Sequence, residues 1–130
     1  MAGSITTTLE NLGNGHYLLT YNCIGDASNG GFPSTGKYPD IDGYLERIVT
    51  NPGATTPTDN YDIAMNDEDG VDVMGGALVD RDQTNSEDKV PLDAGAKDGR
   101  KYIKGPLTPV ITNNSVNSAI VVIKCFISRR

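Results

Sequence analysis

Residues 61–76, YDIAMNDEDGVDVMGG, hold the densest set of groups able to do chemistry. Five carboxylates fall between Asp62 and Asp72, and Gly70 follows Asp69. Oxygen-rich loops bind calcium when their ligands recur at the right spacing. A calcium loop between two helices needs oxygens at positions 1, 3, 5 and 12, with glycine at 6. With Gly70 in the sixth place, Asp69 and Asp67 fill the fifth and third. Met65 then occupies the first place and Gly76 the twelfth, so two essential ligands are missing. The other reading is a reversal: YDIAM runs out, NDEDG turns and VDVMG returns, with Asp-Gly accepting the positive φ of a tight turn. The sequence predicts a turn and no metal.

Other reactive groups are scattered. His16 is the single histidine, and with two distant cysteines it matches no zinc spacing. No nucleophile motif frames a serine, and no carboxylate pair stands apart from the turn segments. GGFPSTGK (30–37) ends in Lys37 followed by Tyr38, whereas a phosphate loop needs Gly-Lys followed by Ser or Thr. The residues give no catalytic or cofactor-binding set, and the chain is not expected to be an enzyme.

The elements that would position these groups are short strands. SITTTLE (4–10) is a Thr-rich first strand suited to a sheet edge. Asn14-Gly15 turns the chain into HYLLTYNCI (16–24). A long Gly/Ser/Pro loop, 25–40, carries Phe32 and Tyr38, able either to dock a partner or to fold back over the core. Strands are predicted at 41–51 and at 61–66, the latter with Tyr61, Ile63 and Met65 inward. A return strand follows at 71–76, a helical turn at 76–82 and a short extended piece within 85–93. Residues 94–105 read as a charged loop. Strands at 106–114 and 117–130 close the chain, and apolar residues on both faces of the last mark it as central.

The chain has 130 residues, enough to bury roughly two thirds of its unfolded surface around one core. Fifteen glycines and seven prolines, with no tryptophan, favour many turns and an aliphatic core. Seven or eight short strands without a long helix predict a single-domain, all-β protein over residues 1–130, an antiparallel β-sandwich of jelly-roll type.

The net charge is −6, unevenly spread. Residues 59–98 hold twelve acids against three bases, whereas 99–130 hold six bases and no acid. Two readings stay open: an acidic and a basic region that dock charge-complementary partners, or a mixed solvated surface. An acidic chain repels phosphates overall, so nucleic acid is not an expected partner. No apolar run reaches the roughly 20 residues that span a bilayer, so no membrane association is expected. The N-terminus lacks the basic start and apolar core of a secretion signal. Cys23 and Cys125 both lie in apolar runs and read as buried thiols, with a disulfide open if their strands are neighbours.

The pattern Pro52-Gly53, Tyr61-Asp62-Ile63, Asp69-Gly70, Gly75-Gly76 and Gly105-Pro106-Leu107 before a last apolar strand resembles small virion proteins encoded among head genes of tailed bacteriophages. The resemblance covers roughly residues 45–125, rests on structural rather than catalytic motifs, and implies a virion component. Within that group, capsid decoration or cement proteins fit the β-rich reading. They bind the outer capsid surface and staple neighbouring subunits without covalent bonds. The partners implied are the major capsid protein and further copies of the chain, as a homodimer or homotrimer. The implied location is the outer face of the virion, after synthesis in the host cytoplasm. The contacts expected are Ile5, Thr7 and Leu9 of the first strand, the loop aromatics Phe32 and Tyr38, and the basic end Arg129 and Arg130. Alternatives are a neck, tail or fibre-base component, or a carbohydrate-binding β-sandwich.

Overall fold

The computed structural model describes residues 2–92 and 99–129, and of Pro39 only the main chain. Seven strands make up the described chain: β1 (Ser4–Gly13), β2 (His16–Ile24), β3 (Tyr38–Pro52), β4 (Asp62–Asn66), β5 (Glu87–Lys89), β6 (Lys101–Thr112) and β7 (Ile120–Ser128). Every pairing is antiparallel. The strands form one sheet in the order β1-β2-β7-β3-β6-β4, with β5 added to β3. No helix occurs among the described residues. The all-β, sandwich-like reading of the sequence is thus realised as one sheet that folds over its own core.

The long strand β3 makes that folding possible. Tyr38–Leu45 pairs with β6, and Tyr44–Pro52 pairs with β7. The register shifts between Leu45 and Arg47, where Glu46 is an extra residue. An inserted residue bends and twists its strand, so the sheet changes direction here. Leu19, Tyr21 and Cys23 of β2 and Val121, Ile123 and Cys125 of β7 are buried on one side. Ile63 and Met65 of β4 and Leu107 and Ile111 of β6 join the same core cluster. As its two apolar faces predict, β7 lies between β2 and β3.

The Asn14-Gly15 turn has φ of 55° and 80° at its two central residues, the paired positive values of a tight hairpin turn. The acidic stretch also turns. Asp67 Oδ1 accepts from the N–H of Asp69 and of Val71, and Gly70 sits at φ 77°. The return leg is not a strand, however. Residues 71–76 touch β4 through an isolated bridge, Asn66 to Asp72, and the bond from Val73 N–H to Met65 O. Asp72 explains this. Its Oδ1 accepts from Met65 and Met74 N–H and its Oδ2 from Gly76 N–H, each at 3.0 Å, pulling the chain out of the ladder. The segment then proceeds by turns rather than the helical turn expected at 76–82. It still buries Val73, Met74 and Leu78 against the core.

Two loops are shorter than the sequence suggests. Tyr38 already belongs to β3, so the first loop closes at residue 37. Lys101–Gly105, expected in a charged loop, opens β6 because its register places Ile103 inward opposite Gly43. Most of the remaining stretch, residues 94–98, lies outside the described residues.

Candidate interaction surface

The expected contact residues divide into two groups. On β1, Ile5, Thr7 and Leu9 pair with Cys23, Tyr21 and Leu19, and so point to the core side of the sheet. Lying at the sheet margin, they are only partly covered. Ile5 packs against the core under Gly36, whose added Cβ would strike the Ile5 side chain, whereas Leu9 is 44% exposed. Phe32 also packs on the core, which makes it a cover for one end rather than a free docking ring. Tyr38 opens β3, half-buried. Arg129 follows β7, and Arg130 lies outside the described residues.

Three of these residues meet. Leu9, Tyr38 and Arg129 line one open hollow together with Tyr17, Asp40 and Asp42. The Arg129 guanidinium lies 4.8 Å from the centre of the Tyr17 ring, a cation–π contact. Its main-chain N–H donates to Gly15 O at 2.8 Å, fixing the end of β7 to the first hairpin. Ile5, Thr7 and Phe32 do not line this hollow, and Phe32 borders a second one near Gly3 and Asp26.

A further cluster lies on the solvent side of the sheet. Tyr102 O–H donates to Asp42 Oδ1 at 2.6 Å, and Lys104 Nζ lies 3.7 Å from Asp42 Oδ2. That hydrogen bond first, then the Lys104 charge, hold the Asp42 carboxyl below the usual carboxylate range. The Tyr102 hydroxyl is raised in turn, because its proton is held by Asp42. The Tyr44 and Tyr102 rings pack edge to face, 5.5 Å apart at 63°. Arg100 covers Tyr44 at 4.1 Å and reaches Glu46 at 3.7 Å. Arg47 covers Phe126 at 4.5 Å and reaches Asp88 at 2.9 Å.

Sequence reasoning missed Tyr44, Tyr102, Phe126, Arg47 and Arg100. The signal was present in β3, whose alternation leaves Tyr44 and Glu46 on a face that is not apolar. The Arg100 and Tyr102 partners were hidden by reading 94–105 as a loop. Arg100 and Lys104 from the basic C-terminal part meet Glu46 and Asp42 of β3, which precede the acid-rich segment 59–98.

Among the described residues, no group of three or more His, Cys, Asp or Glu side chains could hold a metal ion. Cys23 and Cys125 are free and buried. Comparison with family models, with curated proteins and with solved structures gives no match.

Proposed function

We propose that this chain is a bacteriophage capsid decoration protein, bound to the outer face of the shell and stapling major capsid subunits noncovalently. The observation that carries the reading is the aromatic rings covered by arginines on the sheet: Phe126 with Arg47 and Tyr44 with Arg100 on the solvent side, and Tyr17 with Arg129 at the margin of the core side. Tyrosine, phenylalanine and arginine are the residues enriched in protein interfaces. Each ring is stiff, and each guanidinium is already placed, so little freedom is lost when a partner docks. Several modest contacts per copy, repeated over a shell, add through multivalency. The resemblance in Pro52-Gly53, Tyr61-Asp62-Ile63 and Gly105-Pro106-Leu107 to phage head-gene proteins supplies the partner.

The test is co-sedimentation of purified protein with expanded phage shells lacking a decoration protein. The expected result is saturable binding at a fixed copy number per capsid subunit, with a shell more resistant to heat. Absence of binding to intact shells overturns the proposal and directs attention to neck and tail components.

A further inference from the structure

The two borders of the sheet are treated differently. The free side of β4 is covered by residues 71–81, through Ile63 N–H to Leu78 O, Val73 N–H to Met65 O and Arg81 N–H to Tyr61 O. The free side of β1 has no such cover: among the described residues, β2 is its only strand partner, and no main-chain bond from a loop reaches Ser4–Leu12. A long bare edge offers its N–H and C=O groups to another strand, and proteins commonly block it with lysine, proline or a bulge. Ser4–Leu9 contains none of these; the β1 register shift lies beyond it, between Asn11 and Gly13. β1 is also ten residues long, twice the length of the covered β4.

We infer that β1 pairs antiparallel with β1 of a second copy, about a two-fold axis at Thr7, so that two sheets become one. Such an axis stands perpendicular to the sheet and maps each face onto itself, which is the isologous arrangement of a two-fold dimer. Partners across it must therefore share a face, and the register centred on Thr7 satisfies the side chains row by row. On the core-side face, Ile5 opposes Leu9 of the partner copy, covering the 44% exposed Leu9 with an apolar neighbour. On the solvent face Thr6 opposes Thr8, and Glu10, the one charge of the strand, opposes Ser4 rather than itself. Centring on Thr6 would set Leu9 against Gly3, and centring on Thr8 would set Ile5 against Asn11. The second copy is thus favoured over an unrelated extended segment because the strand complements itself in this register. The pairing does not depend on capsid binding.

The test uses the purified full chain. Sedimentation equilibrium is expected to give twice the 13.8 kDa chain mass. Thr7→Cys places a thiol on the axis while Cys23 and Cys125 stay buried, so mild oxidation should give a covalent dimer. Ser4→Cys, opposite Glu10, should give none. The double variant Thr6→Lys/Thr8→Lys sets like charges across the interface at two exposed positions. It should sediment at the single-chain mass with an unchanged circular dichroism spectrum. A wild-type protein that sediments as a monomer, a dimer that survives the double variant, or cross-linking at Ser4 in preference to Thr7 each overturn the proposal. A monomer that gains mass only with shells present would assign the edge to a capsid strand instead, and also overturns it.

Discussion

The hydroxyl of Tyr21, on β2, donates to the main-chain oxygen of Leu107, on β6, at 2.6 Å through the middle of the core. The two residues lie 86 apart in sequence and on opposite limbs of the folded sheet. Tyr21 is fully buried, so its polar end needs a partner away from water, and that partner fixes how far the limbs close. Tyr21→Phe keeps the ring and deletes the bond. The expected loss is about 1–2 kcal/mol in urea unfolding, with the folded spectrum retained. An unchanged midpoint would mean that apolar packing alone sets the closure.

Alkaline pH should unfold the protein through its buried acids. Burial pushes the Cys23 thiol up to about 12, and raises Cys125 as well. In the unfolded chain a cysteine titrates near 8.5. Above that pH the unfolded state sheds protons that the native state keeps, so stability falls as pH rises. The Cys23 contribution is complete below about pH 8.5 and is lost progressively toward pH 12. The slope is about 1.4 kcal/mol per pH unit for each thiol. Urea midpoints at a series of pH values from neutral upward should show the fall, and Cys23→Ala/Cys125→Ala should flatten it up to the tyrosine range. Tyr61, raised by burial to about 12, extends the loss above about pH 10.

Period-two alternation made the strands legible, and with them the core. Tyr61, Ile63 and Met65, and the apolar run of β7, lie where their spacing places them. Pattern alone could not show that β3 serves three strands, β5, β6 and β7, because the Glu46 bulge interrupts its alternation. Nor could it show Val73, Met74 and Leu78 as core, since they reach inward from turns that have no period. Of the contact residues, Leu9, Tyr38 and Arg129 converge only through the fold. The arginine-covered rings needed the β3–β6 register, and a charge-rich opening to β6 concealed it.

Two acids of the 67–72 turn, Asp67 and Asp72, act on the main chain. Asp72 accepts three N–H groups, from Met65, Met74 and Gly76. Asp72→Ala removes the two oxygens that accept these three bonds and should cost roughly 3 kcal/mol, since hydrogen bonds to a carboxylate exceed neutral ones. Denaturant unfolding measures this directly. Calcium should leave the wild-type melting temperature where a chelator leaves it. A calcium-dependent rise would return these carboxylates to a ligand role.

Arg81 is 5% exposed and binds the segments on either side of it. Its Nε and Nη2 donate to Val79 O at 3.3 and 3.2 Å, and Nη1 lies 3.4 Å from Glu87 Oε1. The same Glu87 oxygen accepts from Asp82 N–H at 2.8 Å, which ties the start of β5 to the chain leaving Arg81. Glu87→Gln keeps the shape but leaves a buried guanidinium without its counter-charge. Glu87 retains 36% side-chain exposure, so the expected cost is about 2 kcal/mol, below that of a fully buried pair. In a double-mutant cycle with Arg81→Met, the pair of changes should cost less than the sum of the two alone, because the stranded charge is then gone. Strict additivity in urea unfolding would show that Arg81 is held by Val79 alone and that Glu87 matters only for the Asp82 N–H.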